Sequence, residues 1–285
     1  MTARIAIITD TDSSIPPAMA WEHQIQQVPI VVTFGDESFE TWKDIDDERL
    51  FERIDREGVL PTTAAPSPGK FAAAYQQAIE NGAEQIVCFT VSSRVSATYN
   101  AALAACDQFS GVDISVVDTL SLTMGQGFIV LEAARRRDRG ANKDEIIAAA
   151  EDIRSRTHMF FALATLKYLA MSGRVGHLAA GMAALLNIKP ILTIRDGKLD
   201  MLEKVRTQRK AWARLVKLCE ETRGGAEIES MAMVHVKAAP EARSLEALIR
   251  ESVPCPRESI VVDLSPGLSV HSGAGMAGIT FVTAK

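Results

Sequence analysis

The sequence has little that would mark a secreted, membrane-bound or nucleic-acid-binding protein. It contains only four cysteines in 285 residues, and no two of them form a CxxC pair. Neither a disulfide framework nor a redox motif is predicted, and free thiols favour a reducing, cytoplasmic location. No apolar run approaches the roughly 20 residues that a transmembrane helix needs. The net charge of −5 argues against nucleic acid as a partner, because proteins that bind it are normally basic.

Several catalytic and cofactor-binding signatures are also missing. There is no GxSxG motif, no HxxxH pair and no carboxylate-rich loop, so we expect no metal and no cofactor. One GxGxxG match does occur, from Gly273 to Gly278. A dinucleotide fingerprint must open a helix, whereas the residues after Gly278 (ITFVT) predict a strand. We therefore expect these glycines to let the backbone approach another group closely.

Apolar runs alternate with helical patterns through the first half of the chain. Strands are predicted at residues 4–9, 28–33, 85–91 and 113–117. Helices are predicted at residues 47–57, 68–81, 96–109, 123–138 and 142–156. Strands that alternate with helices of this length indicate an α/β fold with a doubly wound parallel sheet. The segment PTTAAPSP (61–68) is predicted to be a rigid loop, because its prolines restrict the backbone.

The pattern changes near residue 157, where we place a boundary between two domains, 1–157 and 158–285. The second domain is predicted to be α+β, with strands at 157–164, 188–194, 199–201, 230–236 and 259–264. Its main helices are predicted at 177–186, 207–223 and 240–251. Asp196 and Gly197 separate two of the strands and predict a hairpin turn.

Hydroxyl side chains cluster around the end of the predicted strand 85–91, in the stretch CFTVSSRVSATYNAA (88–102). They belong to Thr90, Ser92, Ser93, Ser96 and Thr98. Three interpretations are open: helix caps and backbone partners, a serine nucleophile, or an uncharged site that holds a carboxylate at a helix N-terminus. No base lies nearby in the sequence to activate a nucleophile.

Six stretches follow one another along the whole chain in the order that a known family has them. They are TAAPSP (63–68), SSRVSATY (92–99), LKYLAMSGR (166–174), IKPI (188–191), the segment 196–207 that ends in KVRT, and HSGAGMAG (271–278). Together they resemble the motifs of the DegV family. This family comprises bacterial fatty-acid-binding proteins and includes the fatty-acid-binding subunits of fatty acid kinase.

The resemblance implies two domains with a long-chain fatty acid buried between them. By motif position, the carboxyl group of the acid would meet Thr63 and Ser96, with Ser92, Ser93 and Thr98 as further candidates for the head group. The resemblance also implies that the protein is not itself an enzyme. It would be a monomer that presents the bound acid to a separate kinase subunit, which forms the acyl-phosphate.

Two further residues match positions tied to that phosphoryl transfer, Arg206 in KVRT and His271 in the glycine-rich ending. We expect them to serve the transfer or the kinase contact more than acid binding. The chain departs from the family pattern at three alanines around the expected head group. Ala64 and Ala65 replace a Ser and a Gln, and Ala97 replaces a Gly.

An acyl ligand is consistent with the chemistry of these residues. Each buried CH₂ contributes roughly 0.8 kcal/mol, so a long chain supplies most of the affinity. The head group then needs only hydrogen-bond partners, which hydroxyls provide. Small and apolar residues at 160–169 and 178–186 predict the apolar pocket. Two other functions stay open: a carrier of another apolar acid or lipid without a kinase partner, and a stand-alone serine acyl hydrolase.

Overall fold

A computed structural model describes residues 4–174 and 188–285, and a parallel sheet of four strands organises its first half. These strands are β1 (Ile5–Asp10), β2 (Ile25–Val28), β6 (Gln85–Thr90) and β7 (Asp113–Asp118), in the order β2-β1-β6-β7. The central strands β1 and β6 are buried on both faces, as near-continuous apolar runs predict for a sheet covered by helices. The predicted α/β architecture is confirmed.

Helices flank this sheet at positions close to those predicted. They are α1 (Pro17–Glu22), α2 (Asp47–Glu57), α3 (Pro68–Glu80), α4 (Thr98–Cys106), α5 (Thr123–Asp138) and α6 (Lys143–Arg156). Their starts follow capping rules, since Asp46 caps α2 and Ser67 caps α3. Asn142 and Glu145 cap α6 reciprocally. Helix α1 and a short 3-10 helix (Thr11–Ser13) were not predicted from the sequence.

The predicted strand at 28–33 is wrong, because the segment divides between two sheets. Strand β2 ends at Val28, and β3 (Val31–Phe34) belongs to a separate antiparallel sheet in the order β4-β3-β5. Strands β4 (Glu37–Glu40) and β5 (Thr62–Ala64) complete that sheet, so part of the predicted loop 61–68 is a strand. Pro29 lies between β2 and β3, where it has no N–H to donate to a sheet.

The C-terminal domain is built on a six-stranded mixed sheet. Its strands are β8 (Thr157–Ala162), β9 (Lys189–Arg195), β10 (Lys198–Val205), β11 (Ile228–His235), β12 (Ile260–Asp263) and β13 (Ala277–Thr283). Their order is β10-β9-β8-β13-β11-β12, with a parallel pair at β11 and β12 and antiparallel pairs elsewhere. Asp196 and Gly197 both have positive φ, as the predicted hairpin turn requires.

Four helices of the C-terminal part are described: α7 (Lys167–Met171), α8 (Gln208–Arg223), α9 (Ala239–Ser252) and α10 (Pro266–Ser272). The predicted helix at 177–186 lies outside the described residues. Helix α10 was not predicted, because its seven residues are too few to show a helical period. It nonetheless carries His271 to the centre of the molecule.

Two glycines of the GxGxxG segment allow close packing. A Cβ on Gly278 would lie 2.4 Å from the carbonyl oxygen of Phe160, on the neighbouring strand β8. A Cβ on Gly273 would lie 2.2 Å from the ring of Tyr168. Gly278 lies within strand β13 and not at the start of a helix, so the segment has no dinucleotide-binding geometry.

Helix α5 lies between the parallel sheet and the C-terminal sheet and contacts strands of both. Most of its residues are buried, from Thr123 through Leu131 without a break. A helix buried on nearly all sides belongs to the core. Because α5 begins where the strands of the parallel sheet end, its N-terminus lies at the place where the two sheets face each other.

Candidate functional site

A cavity of about 580 Å³ lies between the two sheets, at the carboxyl ends of β1, β6 and β7. This is the place where open α/β sheets bind ligands, and the volume is in the range of small-molecule sites. Apolar side chains from both halves of the chain form most of its walls. They include Ile30, Val91, Leu122, Phe161, Leu163, Leu169, Leu192, Leu199, Leu264, Leu268 and Met276.

The predicted carboxyl-binding residues meet at this cavity. Thr63 on β5 and Ser96 in the turn before α4 both border it, as does Ser93. Thr63 Oγ1 lies 3.0 Å from Nε2 of His271, a residue 208 positions away in the chain. Ser96 Oγ lies 2.8 Å from Thr98 Oγ1 and accepts a hydrogen bond from the Thr98 amide. The structure therefore brings three hydroxyl residues and an imidazole to one cavity.

Two of the secondary candidates do not border the cavity. Ser92 is buried, and its hydroxyl donates a 2.7 Å hydrogen bond to the carbonyl of Gly197, in the hairpin turn of the C-terminal sheet. Thr98 is buried behind Ser96 and supports it through the hydrogen bond just described. Ser92 thus joins the two halves of the molecule, and Thr98 positions Ser96.

Arg206 is separate from the head-group residues. It is exposed, lies between the end of β10 and Thr207, the N-cap of α8, and does not border the cavity. Glu203, its nearest candidate partner in sequence, pairs with Arg214 at 2.5 Å. Within the described part of the chain, the Arg206 guanidinium makes no hydrogen bond or ion pair.

His271 is held as a neutral imidazole. Burial lowers its pKa to about 4, and the positive charge of Arg174 adds to the effect. Its Nδ1 is buried and has no hydrogen-bond partner within residues 4–174 and 188–285. A neutral imidazole can donate from one nitrogen and accept at the other, so His271 can bond Thr63 and still offer a group to a ligand.

Arg174 also borders the cavity, on its exposed side. The sequence suggested a carboxylate site without a fixed positive charge, so this residue was missed. Its guanidinium donates a 2.8 Å hydrogen bond to the carbonyl of Ser172, two residues away. Arg174 adds a positive charge at the cavity that the candidate head-group residues border, and water screens this charge because Arg174 is exposed.

Two buried carboxyl groups at the end of β1 were missed as well. Asp10 accepts hydrogen bonds from the amides of Asp12 (2.9 Å) and Val91 (2.7 Å), which join the ends of β1 and β6. Asp12 borders the cavity and accepts a 2.6 Å hydrogen bond from Ser265 Oγ. Burial raises the pKa of both acids, and the charge of Asp10 raises that of Asp12 further. In the sequence, both resemble ordinary turn residues after a strand.

Two further features concern metals and membranes. Across 4–174 and 188–285, no three side chains of His, Cys, Asp or Glu are grouped as a metal site would require. In the same residues no helix has the length and apolar character needed to traverse a bilayer.

The sequence matches one family over nearly its full length. The model of the family described as "Uncharacterised protein, DegV family" matches residues 4–284. A DegV domain-containing protein of Streptomyces coelicolor is 33% identical over 279 residues, which are 98% of this chain and 98% of that protein.

Solved structures with the same fold include proteins described as binding fatty acids. A DegV family protein from Thermus thermophilus, described by its fatty acid binding, has a TM-score of 0.89 and 28% identity, over 99% of this chain and 100% of that one. DegV from Bacillus subtilis, described as a fatty acid binding protein, has a TM-score of 0.88 and 27% identity, over the same shares of the two chains.

Proposed function

The chain belongs to the DegV family, and we propose that it binds a long-chain fatty acid and presents the carboxyl group to a partner kinase for acyl-phosphate formation. The observation that carries the proposal is one cavity with apolar walls and a cluster of Thr63, Ser96 and His271 at its rim. The relatives described as binding fatty acids support the same ligand class.

The walls of the cavity suit a hydrocarbon chain. Leu192 and Leu199 lie on β9 and β10, and Leu163 directly follows β8. From the first half of the chain, Val91 directly follows β6 and Leu122 directly precedes α5. Removing each CH₂ group of a ligand from water contributes roughly 0.8 kcal/mol, so a chain of a dozen or more carbons supplies most of the affinity. The carboxyl group then needs hydrogen-bond partners, but it does not need to contribute much binding energy.

The rim of the cavity suits a carboxyl group that must react. Thr63, Ser93 and Ser96 are half-buried, whereas the leucines at 163, 169 and 192 are buried. Hydroxyls and a neutral imidazole can hydrogen-bond a carboxylate without the strong ion pair that would make it a poor nucleophile. The exposed Arg206 would contact the phosphate donor or the kinase, since a guanidinium presents a planar fork of donors that matches phosphate.

We place this function in the cytoplasm, in a monomer with domains 1–157 and 158–285. The alternative is a carrier of another apolar acid that has no kinase partner, and the geometry of the cavity serves it equally well. A serine acyl hydrolase is disfavoured, because the hydrogen-bond partner of His271 is Thr63 and that of Ser96 is Thr98. Among the described residues, no serine at the cavity has the histidine that would activate it.

The head-group assignment is tested by removing one hydroxyl at a time. We expect Ser96→Ala and Thr63→Ala each to weaken fatty acid binding several-fold, because one hydrogen bond contributes about 0.5–1.5 kcal/mol. Ser244→Ala is the matched control, since this serine lies on the surface of α9 and bonds only a backbone carbonyl. The dissociation constants are measured by displacement of a fluorescent fatty acid. Unchanged affinity in both variants, with the fold intact, would remove these residues from the site.

Occupancy of the cavity is tested by thermal unfolding. A ligand that binds only the folded state at 100 times its dissociation constant adds about 2.7 kcal/mol to stability. For a chain of this size we expect delipidated protein to gain roughly 5–10 °C in Tm when a long-chain acid is added. The methyl ester of the same acid is the control for the carboxyl group. Equal melting temperatures with and without the acid would contradict acyl binding.

A further inference from the structure

Two polar side chains at the base of the cavity are not used by the carboxyl-binding residues at its rim. Asp12 and Thr123 both border the cavity, yet only 6% of Asp12 and none of Thr123 is exposed. Thr63, Ser93 and Ser96 are half-buried by comparison. The pair therefore lies deep, at the ends of β1 and β7, where the hydrocarbon part of an acid would run.

Each of the two side chains has hydrogen-bonding capacity to spare. Thr123 Oγ1 has no hydrogen-bond partner within the described residues. The carboxyl group of Asp12 accepts one hydrogen bond, from Ser265 to Oδ1, and its other oxygen accepts none from the described part of the chain. Buried polar atoms are almost always paired, so the unpaired hydroxyl of Thr123 requires an explanation. At the same cavity, Asp12 offers a carboxyl oxygen that no described residue engages.

The two residues lie on elements that touch. Asp12 belongs to the 3-10 helix after β1, and Thr123 is the first residue of the 16-residue helix α5. The carbonyl oxygen of Ser13 is only 2.8 Å from where a Cβ on Gly127, one turn along α5, would lie. This close approach packs α5 directly against the 3-10 helix that carries Asp12.

The backbone at Thr123 is unusual in a way that favours a role in binding. Its φ is 45°, a left-handed conformation that β-branched residues rarely adopt. Helix α5 also begins without a side-chain cap, because Leu122 occupies the N-cap position. Strain of this kind persists where the surrounding structure requires a particular placement of the side chain, and here it accompanies a hydroxyl at the cavity.

We propose that Asp12 and Thr123 form a second polar site that hydrogen-bonds a hydroxyl group on the acyl chain, so that the preferred ligand is a hydroxylated long-chain acid. The inference rests on the proposed function and specifies its ligand. A ligand hydroxyl has one donor and two acceptor positions. It can donate to the free oxygen of Asp12 when that carboxyl group is ionised, or accept from it when it is protonated, and in both states it can accept from the hydroxyl of Thr123.

An unsubstituted chain is the poorer ligand for this site. A methylene group placed there excludes water and leaves both polar groups unpaired, which is more costly than a missing contact on an open surface. Because burial raises the pKa of Asp12, its carboxyl group is neutral over a wider pH range and less costly to place beside hydrocarbon. The hydroxyl should therefore improve binding about tenfold when it reaches the pair.

The test compares palmitic acid with a series of hydroxypalmitic acids that differ in the position of the hydroxyl group. We expect one position, or two neighbouring ones, to bind wild-type protein about tenfold more tightly than palmitic acid. The preference for the hydroxylated acid is the dissociation constant of palmitic acid divided by that of the hydroxylated acid. In Thr123→Val, which keeps the shape of the side chain and removes its hydroxyl, this ratio should fall several-fold. Thr280→Val is the matched control, because Thr280 is equally buried and unpaired but lies in β13 and does not border the cavity.

The outcomes separate this inference from the proposed function. If palmitic acid binds and no hydroxylated acid binds more tightly, the second polar site is refuted, and water occupies its place. If the hydroxylated acids bind more tightly but Thr280→Val reduces the ratio as much as Thr123→Val, the assignment to this pair is wrong. If no acid of the series binds, the proposed function itself fails.

Discussion

Replacing Asp47 with Asn is expected to make the protein more stable at pH 8 and to change its response to pH. Asp47 begins α2 and is buried, and its Oδ2 accepts a 2.9 Å hydrogen bond from Ser269 on α10. Its other carboxylate oxygen has no partner within the described residues. The pKa of Asp47 is raised from 3.8 to about 7, chiefly by burial; the bond from Ser269 and the charge of Lys237 oppose the rise, and the charges of Asp263 and Asp46 add to it.

The sign of the effect follows from proton binding. Between pH 4 and pH 7 the folded protein keeps the proton on Asp47, whereas the unfolded chain releases it, so stability falls as the pH rises. The shift corresponds to about 4 kcal/mol. Below pH 4 both states hold the proton and this contribution to stability is fully present. Above pH 7 both states are charged and it is lost. The amide of the Asp47→Asn variant would not titrate, and its oxygen can still accept the bond from Ser269.

The measurement is the free energy of unfolding in urea at several pH values from 4 to 8. We expect the difference between Asp47→Asn and wild type to grow by about 4 kcal/mol over this range, in favour of the variant. Asp46→Asn is the control for loss of one carboxyl group, because Asn caps a helix as well as Asp. A difference that stays constant with pH would show that Asp47 is ionised throughout.

Asp47 also affects the cavity site, because it helps to hold helix α10, which carries His271. Side-chain hydrogen bonds that hold α10 to the first half of the chain include Ser265 to Asp12, Ser269 to Asp47, and His271 to Thr63. The two serines are four residues apart, and therefore lie on one face of the helix. These contacts fix the position of His271 at the cavity, so the buried acids contribute to the placement of the head-group residues.

Sequence reasoning succeeded where the signal is local. The apolar runs that became β1 and β6 are buried strands whose pattern is visible in any short window, and Ser67 and Asn142 begin helices by ordinary capping. It failed where the outcome depends on distant contacts. Strand β5 is only three residues long, and it is a strand only because β3 pairs with it.

The candidate site could also be predicted only where its residues belong to local sequence motifs. Thr63 and Ser96 could be selected because their motifs are ordered along the chain, but the bond between Thr63 and His271 spans 208 residues and has no local signature. Asp12 and Asp47 look like turn and helix-start residues, and only the packing of α10 over them reveals that they are buried. The bond from Ser92 to Gly197 is equally hidden in the sequence, since Gly197 lies in the hairpin turn of the other sheet.

Replacing Arg206 with Ala is expected to separate acid binding from phosphoryl transfer. Arg206 is exposed and does not border the cavity, so the variant should bind a long-chain acid with the affinity of wild type. If its guanidinium contacts the phosphate donor or the kinase, the rate of acyl-phosphate formation should fall by roughly 10²-fold, as for loss of one electrostatic contact in a transition state. The measurement is a coupled assay with fatty acid kinase, ATP and a bound acid.

Three further variants, at His271, Arg206 and Arg139, show whether the effect is specific to the guanidinium of Arg206. His271 borders the cavity and bonds Thr63, so His271→Ala should lose acid affinity several-fold in addition to any loss of transfer. Arg206→Lys keeps the charge but not the planar fork, and should recover only part of the rate. Arg139→Ala removes another exposed arginine, at the far end of α5 from the cavity, and should transfer at the wild-type rate. Wild-type transfer in Arg206→Ala would refute a role for this residue and favour a carrier that has no kinase partner.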